Sequence, residues 1–141
     1  MATGSGTPAI PTEICDRVDN DCNAIVGDAA VPSGSASLQL ISNTQITWGA
    51  LPGATAYDRV SGSVSRPHST GGDFTISTGT CMANDTPARS ASDFRTPQAG
   101  NGFWYLVRGV NCGGDGTYDT GGASQVGLRD PEIAASGAHC P

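Results

Sequence analysis

The sequence predicts an all-β protein built as a sandwich of antiparallel strands. Short segments with alternating apolar residues recur from residue 37 onwards, and turn signals rich in glycine and proline separate them. The 141 residues include 20 glycines and 9 prolines, and only 14% of the residues are charged. Nowhere does an apolar pattern with a period of 3.6 residues persist long enough to predict a helix. This spacing favours a sandwich of six or seven strands.

The individual strands are predicted from alternation between the two faces of a sheet. In chain order the predicted strands are SLQLIS, QITWGALPG, ATAYDRVSGSV, GGDFTIST, NGFWYLVRGVN and SQVGLRD. The second strand ends at a Pro-Gly pair, which is a turn signal. The stretch from Cys81 to Pro97 is polar and irregular, which predicts a long loop with at most a short strand or turn.

The strand FWYLVRGV is apolar on both of its faces. One face, directed to the core, is predicted to carry Phe103, Tyr105 and Val107, and the outward face to carry Trp104, Leu106 and Val110. A strand of this kind is usually covered on both sides. The outer cover is expected from the N-terminal segment, from residues 65–102 or from another subunit, and cover from within the chain is favoured.

Two segments, ITWGALPGATAYDRV and GFWYLVRGVNCGGDGTYDTGGASQVGL, are similar to the immunoglobulin-like sandwich of fibronectin type III modules. The resemblance implies that Trp48 on the second strand packs in the core and that Tyr57 lies on the third strand. The family pattern of the penultimate strand is matched by Tyr105, Val107, Gly109 and Asn111. The resemblance covers about residues 37–130 and departs from the compact family pattern over residues 65–102, which leaves the strand count there open. It implies a fold rather than a function, because this sandwich hosts many roles.

Charge and composition exclude several classes of partner. The net charge is −6, lysine is absent and no basic patch is present, so nucleic acid is not expected as a partner. No apolar run approaches 18 residues, so no membrane span is predicted. Residues 1–14 lack the features of a signal peptide, and a leader is not expected in this chain. Five cysteines in a glycine-rich chain indicate an oxidising compartment, the alternative being reduced thiols buried in a cytosolic protein.

The stretch CDRVDNDCN concentrates acidic residues in a chain that is otherwise poor in charge. Alternate oxygen-bearing side chains in a tight loop are the spacing of calcium loops, and Asp19, Asp21 and Asn23 have it. The predicted ligands are Asp16, Asp19, Asp21, Asn23, the backbone carbonyl of Ile25, and Asp28. Calcium is favoured over zinc because all of these donors are oxygens.

The longer stretch EICDRVDNDCNAIVGD closely resembles a metal-binding motif of bacterial surface and secreted proteins, E-x-C-D-G-x-D-N-D-C-D-G-x-x-D. The resemblance implies an extracellular, commonly multidomain protein with a calcium-type loop. Arg17 and Ala24 stand where the motif has glycine, and Asn23 replaces an aspartate. Fewer carboxylates weaken calcium binding. The alternative is therefore an acidic turn that binds no metal and is held by its disulfide alone.

The five cysteines leave the disulfide pairing open. Cys15 and Cys22 are predicted to close the acidic loop, and Cys112 and Cys140 to pin the C-terminal tail to the sandwich. Cys81 is then the odd cysteine, while Cys81–Cys140 and Cys81–Cys112 stay open as alternatives.

Catalytic motifs are missing from the sequence. His68 and His139 are the only histidines, and neither lies in a motif with a serine or cysteine nucleophile. No aspartate pair is singled out as a catalytic dyad, so the chain is not expected to be an enzyme. Asn84 begins the sequon NDT, a candidate glycosylation site.

These observations divide the chain into an extended tail (1–12), the acidic metal-binding motif (13–30) and the sandwich (31–141). The predicted function is a non-catalytic structural module of an extracellular bacterial fibre or multidomain surface chain, which associates with neighbouring copies and is braced by calcium and disulfides. One alternative is an adhesion module that binds glycans or proteins through Trp104, Tyr105 or Tyr118. Another is an accessory domain of a larger secreted enzyme.

Overall fold

Seven strands and three short helices are found in the computed structural model, which describes residue 9 and residues 11–141. The strands are β1 (Leu38–Leu40), β2 (Gln45–Trp48), β3 (Ala56–Ser63), β4 (Thr80–Thr86), β5 (Ser90–Ser92), β6 (Phe103–Asn111) and β7 (Gly114–Asp115). The helices are α1 (Ser65–Thr70), α2 (Phe74–Ser77) and α3 (Arg129–Ala135). Of the predicted tail 1–12, residues 1–8 and 10 lie outside the described part.

The strands form two antiparallel sheets, which confirms the predicted sandwich. One sheet has the order β1–β2–β5 and the other has the order β4–β3–β6–β7. β3 and β6 are the two inner strands of the larger sheet and pair with each other at eight successive positions. Within the described ranges, no helix is both long and apolar enough to cross a membrane.

The main core lies between the two sheets. It contains Trp48 and Tyr57, as predicted, together with Ile46 and Val107. The rings of Trp48 and Tyr57 meet edge to face with their centroids 6.0 Å apart. Aromatic pairs prefer this arrangement, which adds about 1 kcal/mol to the gain from burial. Of the β6 residues predicted for the core face, Val107 lies in this core and Tyr105 packs against it.

A second apolar cluster covers the outer face of the larger sheet. Val60 of β3 packs there with Tyr118, Ile133 of α3 and Cys140, and Phe74, Trp104 and Leu106 lie against them. The cover comes from α2, within residues 65–102, and from the C-terminal region. The prediction that the chain covers β6 from within is confirmed, although it did not name the C-terminal region.

Residues 74–77 form a helix instead of the predicted strand. The Asp73 carboxylate accepts hydrogen bonds from the backbone N–H groups of Thr75 and Ile76, at 2.8 and 3.4 Å. An aspartate at this position satisfies N–H groups that have no partner within the helix. This local capping, together with the packing of Phe74 on Trp104, outweighs the strand-like alternation of Phe74 and Ile76.

Two other segments also differ from the prediction. The stretch from Cys81 to Pro97 contains β5 and most of β4, because β2 and β3 offer edges on which it pairs. Residues 124–130 do not form the predicted last strand, and α3 begins at Arg129. The Asp119 carboxylate accepts the Arg129 N–H at 2.8 Å, and the Asp130 carboxylate accepts the Tyr118 N–H at 2.7 Å. These bonds join the start of α3 to residues 118 and 119.

The predicted pairs Cys15–Cys22 and Cys112–Cys140 are wrong. The disulfides are Cys15–Cys112 and Cys81–Cys140, whose Cα atoms lie 5.6 and 5.0 Å apart. Cys22 is exposed and, within the described chain, has no disulfide partner. The fold brings cysteines 97 and 59 residues apart into bonding distance, which their spacing in the sequence does not reveal. The acidic loop is thus tied to the sandwich by a disulfide rather than closed on itself, and the alternative Cys81–Cys140 is confirmed.

A buried carboxylate follows β5. Asp93 accepts hydrogen bonds from Arg95 Nε at 3.0 Å, from Arg95 Nη2 at 2.6 Å and from the Tyr105 hydroxyl at 2.8 Å. The hydrogen bonds from Arg95 hold the pKa of Asp93 well below its usual range, although burial opposes them. The carboxylate therefore stays ionised in the fold at pH values where an exposed aspartate is protonated.

We expect Asp93→Asn to destabilise the protein at neutral pH and to do so less in acid. A carboxyl whose pKa is lower in the fold than in the unfolded chain stabilises the fold above the unfolded-state pKa of about 3.9. That contribution is lost as the pH falls towards the folded-state pKa. The melting temperatures of the wild type and of Asp93→Asn, measured from pH 7 to pH 2, should converge at the acid end. A difference in melting temperature that stays constant with pH would contradict an ionic role for Asp93.

Candidate metal centre

The acidic segment 13–30 is an irregular loop that lies against one end of the sandwich. The disulfide joins Cys15 to Cys112 in the turn between β6 and β7. A Cβ atom added at Gly27 would lie 3.5 Å from the Cβ of Cys112, and one added at Gly113 would collide with the carbonyl of Ala29. The loop is therefore in contact with the β6–β7 hairpin at both of its ends.

Several residues hold the loop in left-handed backbone conformations. Arg17, Cys22 and Ala24 have φ angles of 70°, 60° and 72°, and Gly27 has 80°. Arg17 and Ala24 occupy the two positions at which the related motif has glycine. Glycine adopts such left-handed conformations without strain. For Arg17 and Ala24 each left-handed conformation costs about 1 kcal/mol.

Three carboxylates converge inside these turns. Glu13, Asp19 and Asp21 each offer an oxygen, and the three oxygens lie within 4.8 Å of one another. Glu13 is buried, and its carboxylate accepts the N–H groups of Asn20 at 2.8 Å and Gly27 at 3.0 Å. Glu13 was not among the predicted ligands, although it is the first residue of the motif, and that position was the signal available to find it.

Asn23 links the cluster to a fourth carboxylate. Its backbone N–H donates to Asp19 and Asp21, both at 3.1 Å. Its side-chain amide donates to Asp21 at 3.2 Å and to Asp28 at 2.9 Å. The side-chain oxygen of Asn23 accepts the N–H of Ile25 at 2.7 Å. Asn23 and Asp28 therefore lie beside the three converging carboxylates.

Asp16 stands apart from the converging set. One of its oxygens accepts the Val18 N–H at 2.9 Å, and the other accepts the Asn20 amide at 3.4 Å. Of the six predicted ligands, the structure brings together Asp19 and Asp21, with Glu13. It places Asn23 and Asp28 next to them through hydrogen bonds, joins Ile25 to Asn23 through the Ile25 N–H, and uses Asp16 to shape the turn.

The convergence affects the protonation of the loop. The pKa of Asp21 lies above its ordinary value because its surroundings partly desolvate it and because Asp28 and Asp19 are like-charged neighbours. The hydrogen bond from the Asn23 N–H opposes this increase. Three carboxylates so close together repel one another unless a positive charge lies between them.

The donor set suits a hard cation such as calcium. Calcium takes six to eight oxygen ligands, and waters complete the shell when the protein supplies fewer. Glu13, Asp19 and Asp21 would supply carboxylate oxygens, while Asp28 lies beside them and accepts a hydrogen bond from the Asn23 amide. When bound, the ion would neutralise the repulsion among these carboxylates.

The remaining predicted sites lie elsewhere. Asn84 is exposed on β4, and its amide donates to Asp85 at 2.9 Å. Among the three aromatic residues predicted to contact a ligand, Tyr118 is buried and the Tyr105 hydroxyl is bonded to Asp93. Trp104 is half-buried and lines a cleft of about 250 Å³ with Phe74, His68 and Arg129.

Comparisons with known proteins add little. No protein-family model and no curated protein matches this chain. Among solved structures, a Fn3-like protein from Clostridium thermocellum is similar to it, with 27% sequence identity over 62% of this chain and 81% of that one, at a TM-score of 0.39. A likeness at that TM-score assigns neither fold nor function, and the sandwich is assigned from the sheets themselves.

Proposed function

We propose that this chain is a non-catalytic structural module of an extracellular bacterial fibre or multidomain surface chain. The proposal is supported by the positions of the two disulfides. Cys15, at the N-terminal side of the folded region, is bonded to Cys112 at the end of β6, and Cys140, next to the C-terminal residue of the chain, is bonded to Cys81 in β4. Both disulfides therefore attach an outer segment to the same four-stranded sheet.

This arrangement suits a module that carries tension. A pull applied before Cys15 passes through the first disulfide to Cys112, and a pull applied after Cys140 passes through the second to Cys81. Three stretches of chain then connect the two points of attachment, residues 15–81, 81–112 and 112–140. They include β6, which is hydrogen bonded along nearly its whole length to β3.

Calcium would stabilise the acidic loop next to Cys15, where tension is applied to the module. The carboxylates of Glu13, Asp19 and Asp21 lie within a few residues of Cys15, in a loop stabilised by hydrogen bonds but strained at three non-glycine positions. Extracellular modules bind calcium with dissociation constants of roughly 10⁻⁴ to 10⁻³ M, which suits the millimolar calcium found outside cells.

A catalytic role has no support in the described residues. His139 is bonded to the backbone carbonyl of Ser136 at 2.6 Å. In the part of the chain that the structure describes, neither His139 nor His68 is hydrogen bonded to a serine or cysteine side chain. No base is thereby positioned beside a nucleophile, as hydrolysis through a covalent intermediate would need.

The function is tested by electron microscopy of native material collected outside the producing cell, with and without a calcium chelator. We expect regular filaments that loosen in chelator. We also expect 10 mM calcium to raise the free energy of unfolding of the purified module by about 1.5 to 3 kcal/mol and to slow proteolysis near residue 20.

A matched pair of variants isolates the metal effect. Asp19→Asn with Asp21→Asn should abolish the response to calcium, whereas Asp85→Asn, an exposed change outside the loop, should leave it intact. Calcium binding is refuted if calcium changes neither melting nor proteolysis of the wild type. Single particles indifferent to chelator would refute the fibre.

A binding module is the second candidate, because the cleft at Trp104 combines aromatic walls with the charged Arg129 and with His68. Such a cleft suits a small acidic group of a glycan or a peptide. Sedimentation separates the two candidates. A binding module stays monomeric and changes its tryptophan fluorescence on adding the ligand, whereas a fibre subunit self-associates without one.

A further inference from the structure

The two ends of the sandwich carry different charges. β3 and β6 pair with Ala56 opposite Val110 at one end and with Ser63 opposite Phe103 at the other. The acidic loop of residues 13–30 lies at the first of these ends, next to the β6–β7 turn. The loop contains five acidic residues and one arginine, which give it a net charge of −4. We call this end the acidic end.

The opposite end, which we call the basic end, carries positive charge. Arg95 follows β5 and lies over the ring of Phe103 at the start of β6, 4.2 Å from the ring centroid, so both sheets reach this end. Arg66, in the first turn of α1, is exposed. The stretches that meet at this end contain these two arginines and no acidic residue. They are residues 41–44, 64–66 and 94–102.

Exposed apolar side chains are grouped at the basic end. Phe94 directly follows Asp93, whose N–H donates to the Thr44 carbonyl at 2.7 Å, and Phe94 is 80% exposed. Leu40 and Ile41, at the β1–β2 turn of the same sheet, are also exposed. Single exposed apolar residues are common, but a group of them on one surface marks an interaction site.

The acidic end has a cleft that can receive an aromatic side chain. The cleft has a volume of about 490 Å³ and lies between the acidic loop and the β2–β3 connection. Its walls are mostly apolar and include Ile14, Ala30, Val31, Pro52 and Ala54. Ile14 and Val31 are exposed, so apolar surface of the cleft is accessible from outside. Because the acidic loop forms one wall, the cleft also adjoins the negative charge of this end.

We propose that copies of this chain associate head to tail, with Phe94 of one copy inserted into the cleft at the acidic end of the next. The proposal rests on the structural function above and names the contact between neighbouring copies. An apolar group that fits a pocket elsewhere on the same molecule makes a contact between unlike surfaces, and repetition of such a contact produces an extended array unless the rotation closes a ring. A fibre requires this kind of contact.

Charge favours the pairing of unlike ends. Arg66 and Arg95 of one copy would approach a loop that carries a net charge of −4, and a calcium ion bound in the loop would still leave −2. Two acidic ends placed together would bring like charges into contact, which is unfavourable and suppresses the wrong orientation. Insertion of the aromatic ring would supply affinity, since buried aromatic anchors dominate most interfaces.

Two variants of the full chain each remove one half of the contact. Phe94→Ser removes the inserted ring, and Ser33→Trp fills the cleft from an exposed residue of its wall. We expect each to lower the association constant about tenfold or more in sedimentation experiments. Val126→Ser is the matched control for Phe94→Ser, because Val126 is 88% exposed and lies neither in the cleft nor at the basic end. It should associate like the wild type.

A mixture of the two variants tests whether the two ends bind each other. Phe94→Ser keeps an intact cleft and Ser33→Trp keeps an intact Phe94, so together they can form one contact but not a second. We expect the equimolar mixture to form pairs and no longer species, whereas the wild type forms longer ones. Association of Phe94→Ser like the wild type would overturn the proposal, even if Ser33→Trp were impaired, because another segment would then fill the cleft. A mixture that stays monomeric would overturn it as well.

Reversal of single charges tests the orientation. Arg66 lies at the basic end, whereas Arg89, which is also exposed, lies at the acidic end, where its carbonyl accepts the Trp48 N–H at 3.0 Å. Arg66→Glu and Arg89→Glu each change the net charge from −6 to −8. We expect Arg66→Glu to weaken association about tenfold and Arg89→Glu to leave it unchanged or strengthen it. Equal weakening by both variants would reflect net charge alone and would overturn the head-to-tail orientation.

These measurements separate the contact from the function on which it rests. A wild type that associates while Phe94→Ser and Ser33→Trp associate equally well would refute this contact and leave the structural function standing. A wild type that never associates would refute the structural function itself.

Discussion

Pulling the oxidised module by its two ends should release at most the length of residues 112–140, the shortest stretch between the two disulfide-joined points, a contour length of about 100 Å. Residues 15–81 and 81–112 connect the same two joined points but are longer, so neither can extend fully while both bonds are intact. After complete reduction the whole segment from Cys15 to Cys140 can extend, and the released length should rise about fourfold, to about 450 Å. Single-molecule force spectroscopy measures both lengths directly.

Two variants make this expectation specific to the pairing. Replacing Cys15 and Cys112 by serine leaves Cys81–Cys140 intact and should release about 240 Å, the chain from Cys15 to Cys81. Replacing Cys22, which is exposed, should leave the length released from the oxidised protein unchanged. A release of the full length from the oxidised wild type would contradict the pairing and with it the load-bearing role.

Asp58→Ala should destabilise the fold by about 3 to 5 kcal/mol and lower the melting temperature by about 6 to 15 °C. Asp58 is 1% exposed and lies on β3, opposite Arg108 of β6. Its carboxylate accepts hydrogen bonds from Arg108 Nε and Nη2 at 2.9 and 2.8 Å and from the Asp85 N–H at 2.9 Å. Removing the carboxylate deprives a largely buried guanidinium and a β4 amide of their partner, which costs more than the net gain from the pair.

Asp115→Ala is the matched control because Asp115 binds the same arginine. Arg108 Nη2 lies 2.7 Å from Asp115, but the Asp115 side chain is 47% exposed. Exposed ion pairs contribute at most about 1 kcal/mol to stability. Denaturant unfolding of Asp115→Ala should therefore show only a small loss of unfolding free energy. If Asp58→Ala and Asp115→Ala lose equal free energy of unfolding, burial does not determine how much each ion pair with Arg108 contributes.

Much of the sandwich could be predicted from local pattern alone. The alternation in β6 placed Val107 on the core face, because a strand between two apolar layers must place apolar side chains at fixed intervals, and the resemblance to fibronectin type III modules placed Trp48 in the core. The apolar outer face of β6 also indicated that something covers it. These features are encoded within single segments, so reading a segment by itself is enough to find them.

The acidic loop was predictable in part. Its spacing identified Asp19 and Asp21, since alternate side chains of a tight turn converge. Glu13 joins them from outside the turn, and Asp16 is used to shape it. The sequence also indicated the positions of the turns, because Arg17 and Ala24 stand where the motif has glycine and both adopt left-handed conformations.

The sequence by itself determined the layered β architecture, the main core and the acidic loop. The tertiary structure decided the disulfide pairing, the helix at Phe74 and the helix that begins at Arg129. Cys15 pairs with Cys112 across 97 residues, and Cys81 pairs with Cys140 across 59. Asp130 accepts the Tyr118 N–H and so joins the start of α3 to the segment after β7. Such outcomes depend on distances between residues remote in the chain, which the periodicity of a single segment does not encode.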